Sequence, residues 1–350
     1  MRPLTFLLIF VSASFLIACE TQVDIHIEGE ESAVVFGFLD PTLDTQFVKI
    51  THTFLTDGSA FDAAQIQEMS EYNDLEAYVI VYDGTDSVDS YLLLEKTVTD
   101  KDSGVFYYPA QTVYYFTEAV NNDYTYKLSF FGSGKEVESY SDVIGEFTEE
   151  NSMLFPIVSL VVLYEANNTV YKNVFFRLFS SENTKRYEFS YLFHYKEIYL
   201  DGSIAEKTLH FKHSPFITES LLGNEFFEFR IDGLSFYIRV AGIILDQNNE
   251  ENIDHRVIGK MDYIFEYAGE ELNNFIVLET EPFTSWKPEH NPYSNITNGI
   301  GVWSSRGKSV FEGKTLSNSS IKEMVFGQYT GNLKFCSDDP AHNGTSLGCN

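Results

Sequence analysis

Three cysteines carry the most directed chemistry in this chain, and their settings differ. Cys19 follows Leu16-Ile17-Ala18 at the end of an apolar run that begins at Leu4, behind Arg2. A small residue before a cysteine at the close of such a run is the pattern of a lipobox, where the thiol becomes thioether-linked to diacylglycerol and cleavage frees the amine. Two or more acyl chains hold a protein stably at a bilayer where one does not. Residues 1–18 are therefore expected to be a lipoprotein signal peptide. Residues 19–32, opening Glu20-Thr21-Gln22-Val23-Asp24, are expected to be a lipidated tether. The run is shorter than the roughly 20 residues of a spanning helix. Plain secretion with cleavage near Ala18 is the other reading of the stretch.

Cys336 and Cys349 remain as an even pair around a loop rich in Gly, Asn, Ser and Asp. In an oxidising compartment they are expected to form a disulfide. Asp338, Asp339 and His342 lie inside the loop, but a metal centre needs more convergent ligands, and none is expected. His210 and His213 fall three apart on an expected strand, which sends them to opposite faces.

The chemistry of an enzyme is not written in the pattern. There is no Gly-x-Ser-x-Gly, His-Glu-x-x-His, phosphate-cradling glycine loop or EF-hand spacing. With 52 acidic residues, no pair of carboxylates stands out. A glycosidase would need two of them facing across a cleft. No catalytic residue and no cofactor are therefore assigned. Trp286, Tyr293 and Trp303 could form an aromatic platform for a sugar or peptide, or could cap the second core. Asn295 and Asn298 are expected to shape the turn at Asn298-Gly299.

Composition sets the frame for these groups. A chain of 350 residues corresponds to about two domains. The formal net charge is −29, which repels phosphate backbones and argues against nucleic-acid binding. It also argues against a body lying flat on anionic lipid. The chain is nonetheless 44% hydrophobic and 16% aromatic, with 31 Phe and 22 Tyr, enough for a sizeable core. Phe and Tyr with many Val and Ile favour strands over helices.

Strand patterns recur at Ala33–Leu39, Phe47–His52, Ala77–Tyr82, Tyr91–Leu94, Val105–Tyr108, Val113–Phe116, Tyr124–Phe131 and Glu136–Tyr140. Between Thr56 and Asn73 the alternation lapses, and a short helix or surface insertion is expected. A linker follows at 148–152. Strands resume at Ile157–Tyr164, Val174–Phe179, Tyr187–Leu200, Lys207–Lys212, Glu225–Phe229, Leu234–Ile244, Val257–Tyr267 and Ile300–Trp303. Glu270–Thr280 reads as a short helix or a strand. The chain is thus expected to be all-β. An immunoglobulin- or transthyretin-like sandwich at 33–148 precedes a larger antiparallel sandwich or barrel-like domain at 153–312, and a polar tail with the disulfide occupies 313–350.

Two stretches resemble a known family. Cys19-Glu20-Thr21-Gln22-Val23-Asp24-Ile25-His26-Ile27 with Val34-Val35-Phe36-Gly37-Phe38-Leu39 resembles the opening of Bacteroidota envelope lipoproteins of the domain-of-unknown-function 4249 family. Phe36 stands where that family has Glu. Asn291-Pro292-Tyr293-Ser294-Asn295-Ile296-Thr297-Asn298-Gly299-Ile300-Gly301-Val302-Trp303 resembles its C-terminal signature, and the likeness covers most of residues 19–312. It implies an outer-membrane lipoprotein, anchored to the bilayer through acylated Cys19 and facing the cell surface, and a TonB-dependent transporter as partner. It supplies no catalytic residues. The resulting expectation is a non-catalytic binding or accessory protein. The alternatives are a polysaccharide- or peptide-acting hydrolase and a structural or adhesive surface protein.

Overall fold

Alternation builds the first layers. Along β1 (Ala33–Leu39), Ala33, Val35 and Leu39 are buried while Val34, Phe36 and Phe38 face the other way. β2 (Gln46–His52) repeats the pattern, with Val48 and Ile50 inward and Lys49 and Thr51 outward. The computed structural model describes residues 30–99, 101–145, 147, 155–165, 168–246, 250–280 and 293–349. The signal peptide, Cys19, the linker at 148–152 and Trp286 lie outside the described residues.

The chain continues through β3 (Ala77–Asp83), β4 (Asp86–Leu92), β5 (Leu94–Val98), β6 (Gln111–Phe116), β7 (Thr125–Gly132) and β8 (Lys135–Asp142). These eight strands pair as β1-β2-β6-β5 and β4-β3-β7-β8. Lettered A, B, C, C′, D, E, F and G along the chain, they read A-B-E-D and C′-C-F-G. Of the two sandwich types expected, this strand order is the immunoglobulin one. Val35, Val48, Ile50, Val79, Leu128 and Val137 fill the space between the sheets.

Two segments of this half are irregular. Between β2 and β3 the expected insertion is a short helix, α1 (Ala60–Ala64), followed by a 3-10 turn at Gln67–Met69. Ser59 caps α1, its Oγ accepting from the Asp62 N–H at 3.3 Å. Val105–Tyr108, expected as a strand, is a loop. Its backbone is claimed by the insertion: the Tyr107 N–H donates to the Ala64 carbonyl at 2.8 Å, and the Gln65 side-chain amide donates to the carbonyls of Gly104 and Val105.

The second half contains β9 (Ile157–Val158), β10 (Val161–Leu163), β11 (Val170–Tyr171), β12 (Val174–Phe179), β13 (Arg186–Tyr199), β14 (Ile204–Lys212), β15 (Phe216–Ile217), β16 (Phe226–Ile231), β17 (Ile253–Ala268), β18 (Gly299–Leu316) and β19 (Phe335–Cys336). Its helices are α2 (Gly233–Asp246), α3 (Glu270–Thr280) and α4 (Asn318–Phe326). β13 buries Tyr187, Phe189, Tyr191, Phe193 and Tyr195 on one face, as its alternation requires. Phe176 of β12, Phe227 and Phe229 of β16 and Phe236 of α2 pack onto that face with ring centroids 4.6–5.5 Å apart. The molecule is thus an all-β sandwich protein with a few covering helices. No helix among the described residues is long and apolar enough to cross a membrane.

One sheet passes through both halves in the order β14-β13-β17-β18-β1-β2-β6-β5. The joint is β18. Its first part runs parallel to β1, from Ala33 opposite Gly299 to Leu39 opposite Ser305. Its second part runs antiparallel to β17, from Ala268 opposite Arg306 to Met261 opposite Lys314. The two cores therefore share one sheet and exchange residues across the expected boundary around 148–153, Ile144 lying in the second core and Ile296 and Trp303 in the first, and residues 32–350 form one compact unit.

Three further expectations are corrected. Leu234–Ile244 is not a strand but part of α2. Asp232 caps it, its Oδ1 accepting from the Ser235 N–H at 2.9 Å, and Phe236, Tyr237, Val240, Ala241 and Ile244 are buried at helical spacing. The boundary at 312 falls inside β18. The tail beyond it is embedded rather than peripheral, with Ile321, Met324, Leu333, Phe335 and Leu347 in the second core.

Candidate functional site

The insertion and the irregular loop meet over the outer face of the β1-β2 sheet and enclose a cleft of about 530 Å³. Its floor is Val34 and Phe36 of β1 with Lys49 and Thr51 of β2, the outward residues of two alternating strands. Phe54, Ala60, Phe61 and Ala64 from the insertion form one wall, and Lys101, Val105 and Phe106 form the other. Phe61 is 72% exposed and Phe106 52% exposed, so two aromatic rings stand at the mouth largely uncovered. Phe275 of α3 meets Phe36 edge-on at 5.8 Å and steadies the floor from outside. The size and apolar lining match those of small-molecule sites, which span about 300–1,000 Å³.

A polar cluster closes one end. Lys49 Nζ donates to Glu71 Oε1 at 2.8 Å and to the Thr112 carbonyl at 2.6 Å. Glu71 also accepts from Gln67 Nε2 at 2.8 Å and from the Thr112 hydroxyl at 2.7 Å and N–H at 3.2 Å. Burial alone would push the Glu71 carboxyl up, but the hydrogen bonds from Lys49, Gln67 and Thr112 overcome it and hold the group below the usual glutamate range. Lys101 Nζ donates to the Tyr107 carbonyl at 2.8 Å and lies 5.9 Å from the Phe106 ring centroid. Burial, reinforced by Lys49, pushes the Lys101 ammonium down, against the pull of Glu71. His52 lines the wall with its ring 4.7 Å from that of Tyr72.

None of these residues was singled out by motif. One signal was present: Ala33-Val34-Val35-Phe36 is apolar without a break, which says that both faces of β1 are covered. Phe36, where the chain departs from the lipoprotein signature, lies in the floor.

Of the two readings of the aromatic trio, Trp303 follows the core one. Trp303 is 1% exposed and belongs to the core of the immunoglobulin-like sandwich, with its Nε1 donating to the Tyr126 carbonyl at 3.0 Å. It caps the first core, not the second, because β18 crosses to that sheet. Tyr293 is half-buried and its hydroxyl donates to Glu271, whose carboxyl is pushed up by burial and by Glu270. Trp286 lies outside the described residues. Asn295 and Asn298 are structural, as expected of turn residues. Asn298 Nδ2 donates to the Glu136 carbonyl at 2.8 Å, and the Asn295 side chain bonds to the backbone of Trp303.

A second, charged groove of about 450 Å³ lies on the outer face of β13, β17 and β18 beside α3. There Glu188 and Glu266 stand directly opposite each other on adjacent strands. Each faces a cation: Arg186 Nε donates to Glu188 at 2.5 Å, and Lys308 Nζ is 3.6 Å from Glu266. The Arg306 guanidinium lies over Phe38 at 4.8 Å. Glu188 and Glu266 are thus neighbouring carboxylates on adjacent strands, each beside a cation, rather than a pair facing across a cleft.

Cys336 and Cys349 are joined by a disulfide with Cα atoms 5.0 Å apart. His255 lies beside it, its Nδ1 2.8 Å from Asp254 Oδ2. His342 is buried, with Nδ1 2.8 Å from Ser337 Oγ and Nε2 3.1 Å from Asn318 Oδ1, so its ring holds the loop together. Asp339 caps the short turn that contains it. His210 is exposed, whereas His213 packs on Phe189 and Tyr191, where burial and the nearby Arg239 and Arg230 push its pKa down. The two histidines do not share a site.

No protein-family model matches the chain, and no significant match to a curated protein was found.

Proposed function

We propose that this chain is an exported lipoprotein of the outer membrane, held to the bilayer through acylated Cys19. Its body binds a small apolar ligand in the cleft over β1 and β2, as an accessory to an outer-membrane transporter of the TonB-dependent kind. The observation that carries the binding reading is the cleft itself: Phe36, Phe61, Val105 and Phe106 leave apolar surface facing a cavity of ligand size. The lipobox and the lipoprotein resemblance support the anchor, and the partner rests on that resemblance.

The test of binding is titration of the mature chain carrying Cys19→Ser with the uncharged dye Nile red, followed by fluorescence. Saturable binding that Phe61→Asp and Phe36→Asp each weaken is expected. Saturable binding unaffected by either change, or none at all, would remove the cleft from the account. The anchor is tested by mass spectrometry of the membrane-retained N-terminal peptide after proteolysis of intact cells. A diacylated Cys19 with the body shaved away is expected, and an unmodified mature N-terminus would sink the anchor.

A further inference from the structure

The cleft carries an unbalanced charge. Among the described residues that line it, two ammonium groups, Lys49 and Lys101, face one carboxylate, Glu71. Glu71 is already engaged by Lys49, Gln67 and Thr112, and its nearest cation is Lys49. Lys101 is turned instead toward the Tyr107 carbonyl and the Phe106 ring at the mouth. The surplus positive charge stands out against a chain of net charge −29. Lys101 donates to one carbonyl and lies over one ring while Glu71 acts on it only through space, so an incoming carboxylate would give this ammonium a direct anionic partner.

Resting on the ligand-binding reading above, we infer that the cleft takes an amphiphilic monocarboxylate. The carboxylate would lie against Lys101, and the apolar body against Phe36, Phe61 and Phe106. Among the described lining residues the surplus is one positive charge, which matches one anionic group. The walls supply apolar and aromatic contact for either an acyl chain or an aryl ring. Lys49 keeps its bond to Glu71 and contributes field rather than contact. A carboxylate against an ammonium is a charge-assisted hydrogen bond, the strong kind, and its strength grows in a site from which water is displaced.

The experiment is displacement of Nile red from the mature chain carrying Cys19→Ser by decanoate, by decanol and by 2-naphthoate. Decanoate should displace the dye on the order of tenfold more tightly than decanol. Lys101→Met should erase that preference while leaving decanol unchanged, and Lys101→Arg should retain it. The order of decanoate and 2-naphthoate then decides between acyl and aryl acids. If decanol and decanoate compete equally in the wild-type chain, or if Lys101→Met leaves their ratio intact, the carboxylate inference fails although the cleft still binds. If the dye itself does not bind saturably, the ligand-binding reading fails and the inference with it.

Discussion

The side-chain amide of Asn295 pairs with both backbone groups of Trp303. Its Nδ2 donates to the Trp303 carbonyl at 2.7 Å, and its Oδ1 accepts from the Trp303 N–H at 3.0 Å. Around this clasp the chain passes from one sheet of the immunoglobulin-like sandwich to the other. Thr297 exchanges backbone hydrogen bonds with Glu138 at the free edge of β8, and two residues later β18 joins the edge of β1. Asn295→Ala strips the backbone of the buried Trp303 of its partners and should destabilise by about 1–3 kcal/mol. Trp303→Ala empties a filled slot and should cost about 3–5 kcal/mol. Denaturant midpoints with unchanged slopes check both.

Gly301 sits in the same segment at φ +116°, a conformation L side chains avoid, and a Cβ there would collide with the Val35 carbonyl oxygen. Gly37 is tight for another reason: a Cβ would lie 2.5 Å from Trp303 Cε3 and 2.8 Å from Val48 Cγ2. Gly301→Ala should therefore be the more damaging change, since a backbone atom cannot yield as a ring can. Thermal melts of the two variants give the order, and equal losses would contradict it.

The Glu71 carboxyl is held below its ordinary value of 4.5, so it stabilises the fold while ionised. The sign follows from linkage: the contribution is fully present above the unfolded value and disappears as pH falls through the lower folded one. Wild type should exceed Glu71→Gln in stability by a constant margin at pH 6 and above. The margin should shrink as pH falls below 4.5, and urea titrations across pH 3–7 read it directly. A margin that grows in acid would reverse the assignment.

The disulfide between Cys336 and Cys349 fastens a segment whose β19 lies parallel to β17, Phe335 against Arg256 and Cys336 against Val257. Beneath it the buried Arg256 pairs with Glu197 at 3.1 Å and donates to the Leu333 carbonyl at 2.9 Å. Cys349→Ser should cost about 3 kcal/mol in the chain-entropy model. Arg256→Met leaves the buried Glu197 with Lys207 at 3.6 Å and the Tyr199 hydroxyl at 3.0 Å but strips the Leu333 carbonyl of its donor, and should cost about 2–4 kcal/mol. Adding a thiol reductant should lower the wild-type midpoint and leave that of Cys349→Ser unmoved.

Most strands were legible because alternation is a local signal. Tyr187–Leu200 displayed its buried face outright, and Ala77–Tyr82 and Val174–Phe179 became strands close to where they were read. Leu234–Ile244 misled because Ile, Val and Tyr favour strands, while the capping Asp232 and the helical spacing of Phe236, Val240 and Ile244 spoke for a helix. The cleft was illegible for a different reason. Lys49, Glu71, Lys101 and Thr112 come from four separate segments, and only the sheet register and the folded-over insertion bring them together. Trp303 could be read as a platform or as a cap of the second core, but not as part of the first, because its burial there depends on a strand pairing far away in sequence.

That pairing sets an order of events as the protein is made. β1 is synthesised long before its parallel partner, which begins at Gly299. Contacts so remote in sequence form slowly, and until they form an unpaired edge of β1 is open to other chains. A fragment ending at residue 148 should therefore aggregate on refolding. A synthetic peptide of residues 294–305 added in trans should suppress that aggregation by strand addition, and failure to do so would mean the sandwich needs no such guest.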